Sequence, residues 1–128
     1  MNKWKALALL LLALLLVGGC LGQYLYITTL TEQLTGLTDR LTAAIRAQDL
    51  PAADTVLSEF RQKWEEHRRR LYSLANHSAV NGIETELAAF SEDLLCRNTP
   101  QLCSGAARLG QAVRALAQPE PLSLSNLL

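Results

Sequence analysis

Few side chains in this 128-residue sequence stand in patterns that do chemistry, and Cys96 and Cys103 are the most informative of them. They flank Arg97-Asn98-Thr99-Pro100-Gln101-Leu102. In an unbroken helix seven residues rise about 10.5 Å, farther than the roughly 4.4–6.8 Å between the Cα atoms of a disulfide. The pair can bond only if the chain reverses between them, and Pro100 supplies a turn. In an oxidising compartment the expectation is a Cys96–Cys103 disulfide that clamps two helices together. So short a loop would contribute about 2–3 kcal/mol. A redox-active pair would show Cys-x-x-Cys spacing, which these residues lack. Zinc would need His67 or His77 to converge with both thiolates. That spacing is too loose, and no metal or other cofactor is expected.

Acid–base candidates are equally sparse. Glu84 and Glu86 are two apart, which aims them at different faces of a helix. Glu92 and Asp93 are adjacent and read as solvated. His67 falls in an apolar stripe and reads as a core or boundary residue. His77 and Glu84 share a helix start, where a buried polar contact, a cap or a hairpin-fixing hydrogen bond, is expected. No Gly-rich phosphate loop, Gly-x-Ser-x-Gly elbow or His-Glu-x-x-His helix occurs. The expectation is a protein that is not an enzyme. Net charge is zero, which gives no reason to expect nucleic acid as a partner. Arg68-Arg69-Arg70 is the densest charge run. It could meet anionic lipid or acidic partners, or form a solvated face paired with Glu65 and Glu66.

The elements that carry these residues begin with an apolar segment. Met1-Asn2-Lys3-Trp4-Lys5 is followed by no charged residue from Ala6 to Thr31. About 20 apolar residues suffice for a helix to cross a ~30 Å hydrocarbon core, and Ala6 to Ile27 is long enough. Lys3 and Lys5 favour a cytoplasmic N-terminus, and Trp4, Tyr24 and Tyr26 resemble interfacial anchors. Three readings stand side by side. The segment is an uncleaved signal anchor, favoured by apolarity that continues past Cys20 through Leu21, Tyr24, Leu25 and Ile27. Or Val17-Gly18-Gly19-Cys20 is a lipobox with Cys20 acylated. Or the segment is a signal peptide that is removed. All three place the remainder outside the cytoplasm.

Beyond the anchor, apolar residues recur every three or four positions, the period of one helix face. The stripes are Leu30, Leu34, Leu37, Leu41 and Ile45; Val56, Leu57, Phe60, Trp64, Leu71 and Leu74; Val80, Ile83, Leu87, Phe90 and Leu94; and Leu102, Ala106, Leu109, Val113 and Leu116. Asp49-Leu50-Pro51, Asn76-His77-Ser78 and Arg97 to Gln101 separate them, and Pro119 and Pro121 close the last. Nothing stops the anchor from running into the first stripe as one rod. The fold class is all-α: an N-terminal transmembrane helix, then a small antiparallel bundle of about four helices in two hairpins. The expected division is an anchor over 1–29, an extracytoplasmic bundle over 30–118 and an apolar tail over 119–128 that docks on the bundle.

Four stretches resemble the bacterial domain-of-unknown-function family 4363. Ala47-Gln48-Asp49-Leu50-Pro51-Ala52-Ala53 is similar to its turn into the second helix, and Phe60-Arg61-Gln62-Lys63-Trp64 to its aromatic stretch. His77-Ser78-Ala79-Val80-Asn81-Gly82-Ile83-Glu84 resembles its His-x-Glu-Ile-Asp-x-Ile-Glu pattern. Pro119-Glu120-Pro121-Leu122-Ser123-Leu124-Ser125-Asn126-Leu127-Leu128 resembles its ending. Ala79 and Asn81 stand where acids are usual, and the Cys96, Cys103 pair departs from the family pattern. The resemblance implies a membrane-anchored helical protein of spore-forming and related Gram-positive bacteria, and no enzyme activity. The functional expectation is a membrane-tethered interaction or accessory module of the cell envelope with a protein partner. The alternative is an extracytoplasmic binding protein for a small apolar or peptidic ligand.

Overall fold

The computed structural model describes residues 2–74 and 77–118. They form four helices and, among the described residues, no strand: α1 (Lys3–Arg46), α2 (Leu50–Leu74), α3 (His77–Leu95) and α4 (Thr99–Arg114). The apolar segment and the first amphipathic stripe are one helix of 44 residues. Its two parts differ in surroundings. Every residue from Asn2 to Gly22 is exposed, and burial sets in only from Leu30. A helix apolar on all sides requires an apolar environment around it, and the bundle supplies none to this stretch.

The rest of α1 packs with α2, α3 and α4 into a closed up-and-down bundle, α1 lying between α2 and α4, and α3 completing the ring. Cross-helix contacts give the register. The Gln23 side-chain amide donates to the carbonyl of Leu74 at 3.0 Å, and Arg40 pairs with Glu59 at 2.9 Å, so α2 descends beside α1. Arg68 pairs with Glu84, and Arg61 donates to Ser91 at 2.6 Å, so α3 rises beside α2. Arg108 pairs with Glu86 at 3.1 Å, and α4 descends. The end of α2 therefore lies nearest the apolar shaft, and the α1–α2 and α3–α4 turns lie at the far end.

The core is the set of stripes read from the sequence, with Trp64, Phe60 and Phe90 its largest fully buried side chains. Leu37, Leu74 and His67 lie at its margin. Thr31 and Thr38 are buried as well. Each hydroxyl donates back to its own helix, Thr31 to the Ile27 carbonyl at 2.7 Å and Thr38 to the Thr35 carbonyl at 2.8 Å, which removes the cost of burying it. Gly105 and Gly110 are buried on α4. A Cβ at Gly105 would stand 3.1 Å from Phe90 Cδ2, so glycine is what lets α4 approach α3 there.

Both far-end turns are built alike. After α1, Gln48 takes φ 58, its N–H donates to the Ile45 carbonyl at 3.0 Å, and the Asp49 N–H donates to the Ala44 carbonyl at 2.9 Å. After α3, Arg97 takes φ 54, and the Arg97 and Asn98 N–H groups reach Leu94 and Asp93 at 3.2 and 3.0 Å. These are Schellman closures, which usually place glycine at the left-handed position. The Asp49 carboxylate then accepts from the Ala52 N–H at 3.2 Å and caps α2.

Two expectations need correction. The fourth helix begins at Thr99, not Leu102, because Pro100 sits within its first turn. Cys103 is therefore more than one turn inside α4. The expected Cys96–Cys103 disulfide is not formed: both thiols are free and exposed. Cys96 closes α3 with its sulfur 4.0 Å from Glu92 Oε1, directed back along its own helix.

Candidate functional site

The polar residues of most interest gather at the shaft end of the bundle. Here the last turns of α2 meet the residues of α1 that emerge from the exposed apolar stretch. The Tyr26 hydroxyl is hydrogen-bonded to His67 Nδ1 at 2.7 Å, and the two rings lie 5.7 Å apart. The Arg70 guanidinium stands over the Tyr26 ring, 5.2 Å from its centroid, within range of a cation–π interaction. With the Gln23 contact to Leu74, these bonds fasten the end of α2 to α1 several residues before the core begins.

A second cluster forms on the other side of α2. His77, Asn81 and Glu84 are spaced four and three residues apart and share one face of α3. All three converge on Tyr72. The His77 ring meets the Tyr72 ring edge-on at 5.7 Å and 83°. The Tyr72 hydroxyl lies 3.1 Å from Asn81 Oδ1 and 3.4 Å from Glu84 Oε2. Glu84 also takes the Arg68 guanidinium, which in turn reaches Glu65 at 3.6 Å. His77 and Glu84, expected to make a polar contact with each other, both lie against Tyr72, one at its ring and the other at its hydroxyl. Of the pairing with Glu65 and Glu66 expected for a solvated face, only Arg68 with Glu65 is present among the described residues, and Glu84 is the nearer acid. Arg69 and Arg70 are exposed and make no ion pair among the described residues.

The remaining site candidates stay apart from this end. Cys20 is exposed on α1 within unbroken helix. Cys96 and Cys103 lie at the opposite end of the bundle. No group of three or more His, Cys, Asp or Glu side chains suited to a metal occurs among the described residues. Every buried side-chain nitrogen and oxygen among the described residues has a hydrogen-bond partner. The groove between α1 and α2, about 480 Å³, is open to solvent and bordered by Gln33, Arg40, Glu59, Gln62 and Glu66 as well as Leu37. The tail over 119–128 lies outside the described residues. Tyr26 and Tyr72 escaped the sequence reading as site residues. The face formed by His77, Asn81 and Glu84 carried a signal for the second, but none of these residues points to Tyr26.

The class defined by this architecture is an all-helical four-helix bundle whose first helix extends into a shaft long and apolar enough to cross a membrane. The family model described as "Domain of unknown function (DUF4363)" matches residues 21–127, and the chain belongs to that family. The match takes in the bundle and its shaft-end contacts, and leaves most of the exposed apolar stretch outside. No curated relative and no solved structure matches the chain.

Proposed function

We propose that the chain is a single-pass membrane protein of the cell envelope, its N-terminus cytoplasmic and its bundle on the far side, acting as a non-enzymatic accessory module for a protein partner. The observation that carries this reading is the continuity of α1. Trp4 to Gly22 would extend about 28 Å at 1.5 Å per residue, against a hydrocarbon thickness of ~30 Å, and all of it is exposed. Lys3 and Lys5 at one end and no charge until Glu32 at the other support the orientation. Several charged side chains form ion pairs that tie helix to helix, such as Arg40–Glu59 and Arg108–Glu86, which supports a structural use for those residues. The open, polar-edged groove beside α1 differs from the enclosed apolar pocket a small ligand takes.

The test uses the full chain with an N-terminal tag in its own membranes. It resists extraction by alkaline carbonate, and protease added outside removes the bundle while leaving the tag. Release by carbonate, or a bundle that external protease cannot reach, refutes the topology. A mature mass that retains Met1 supports the uncleaved anchor, whereas a diacylglyceryl mass on Cys20 supports the lipobox reading. Photo-crosslinking from the bundle surface in intact membranes is expected to give one discrete adduct. A ligand that co-purifies without any protein adduct would favour the binding-protein alternative.

A further inference from the structure

The shaft end of the bundle is positively charged, and its height above the apolar stretch can be counted in helix residues. Tyr26 lies four residues beyond Gly22, about 6 Å along the axis. A headgroup layer occupies roughly 5–8 Å outside the hydrocarbon. Arg70 stacks on Tyr26, and the Leu74 carbonyl binds Gln23. The last turn of α2 therefore stands at headgroup height.

Among the described residues the charge at this end is basic, with Glu65 and Glu66 the nearest acids on α2, one turn before Arg69 and Arg70 and in ion pairs with neither. From His67 to Ile83 the sequence holds three arginines, two histidines and no acid. The first carboxylate of α1 is Glu32, ten residues or about 15 Å beyond Gly22, and α4 contains none. Glu84, the nearest acid on α3, is occupied by Arg68. Arg69 and Arg70 remain without a carboxylate among the described residues, both exposed.

We propose that Arg69 and Arg70 bind the phosphates of anionic lipid headgroups in the leaflet from which α1 emerges, seating the bundle on the membrane surface. This rests on the anchored topology above. The guanidinium fork matches phosphate oxygens, and stacking on Tyr26 holds Arg70 at the required level.

The test uses the full-length chain in nanodiscs of phosphatidylcholine, with or without phosphatidylglycerol. The rate at which phenylglyoxal modifies each arginine is read by mass spectrometry. On anionic discs Arg69 and Arg70 react about fivefold more slowly, the factor that follows from ~1 kcal/mol per arginine near an anionic surface. Arg46, at the far end of α1, keeps its rate. Amide exchange through Leu71–Leu74 slows on the same discs in the native chain and not in the double variant R69Q/R70Q. Equal rates on both discs overturn the proposal while a chain that co-elutes with the discs leaves the anchor standing. A chain that does not enter discs removes both. Protection on neutral discs by inorganic phosphate alone, or by polyglutamate with none from anionic lipid, also overturns it.

Discussion

Two buried glycines of one helix, Gly105 and Gly110 of α4, should respond oppositely to the same substitution. Replacing a helix-interior glycine with alanine gains about 1 kcal/mol from backbone propensity. At Gly36, exposed and with nothing within 4 Å of the added Cβ, that gain is the whole effect. At Gly110 the Cβ would lie 3.5 Å from Thr38 Oγ1 and 3.9 Å from Thr38 Cβ, ordinary contact distances. Gly110→Ala therefore stabilises by about 1 kcal/mol, with some further gain from burying the methyl. At Gly105 the Cβ meets Phe90 Cδ2 at 3.1 Å, short of the ~3.5–4.0 Å that two carbons prefer. Phe90 is fully buried and has nowhere to swing. Overpacking of this kind costs roughly 1–3 kcal/mol, so Gly105→Ala is net destabilising by about 1 kcal/mol after the propensity gain. The gap between the two variants is then about 2 kcal/mol, or roughly 8–16 °C in midpoint for a domain of this size. Trp64, 1% exposed in the core, reports unfolding by its fluorescence in the full chain in detergent micelles. If Gly105→Ala raised the midpoint as much as Gly36→Ala does, the close approach of α4 to Phe90 would be wrong, and with it the register of the α3–α4 pair.

Three further outcomes follow from the same geometry. Gln48→Gly relieves a left-handed residue in the α1 closure and is expected to stabilise by about 0.5–1 kcal/mol in the same unfolding assay; a loss would contradict φ 58 at that position. Tyr26→Phe removes the hydroxyl bonded to His67 and is expected to cost about 1 kcal/mol, seen as faster amide exchange in the last turns of α2; unchanged exchange would mean that the contact holds nothing. Cys96 and Cys103 are expected to take a maleimide equally with and without prior reduction, and a mass lower by two hydrogens in the unreduced peptide pair would show that they bond after all.

The helices were legible because their stripes are long and apolar. Leu30 through Leu116 supplied nearly every core position at the expected faces. What stayed hidden has particular causes. Thr31 and Thr38 are polar by type, and only their bonds to carbonyls three and four residues back let them enter the core. Pro100 in a sequence signals a break, but here it opens α4, and that shift of three residues removes the turn the disulfide needs. Arg97 as a left-handed closure left no mark, since glycine is the residue that usually announces one. At the site, His77, Asn81 and Glu84 share a face by spacing, which a single sequence can show. Tyr26 and His67 are 41 residues apart and meet only because α2 doubles back along α1. Such a pairing requires knowing the register of two helices, and periodicity fixes faces without fixing register.

The absence of a joint between shaft and bundle has a geometric consequence for any partner. Gly18, Gly19 and Gly22 could have marked a hinge, yet α1 passes through them as continuous helix, and Gln23 is already bonded to α2. On the proposed topology the bundle is not held on a tether that could sweep a volume above the membrane. From Gly22 to Arg46 is 24 residues, about 36 Å at 1.5 Å each, so the far-end turns at Gln48 and Arg97 stand roughly that distance from the hydrocarbon. A partner must therefore offer its surface within this layer, beside the bundle or against its far end. On that topology, rotation of α1 about its axis and tilt in the bilayer change which face the bundle presents. On the proposed lipid contact, Arg69 and Arg70 at headgroup height would restrain tilt, because leaning the rod away from them would lift this end of α2 from the surface.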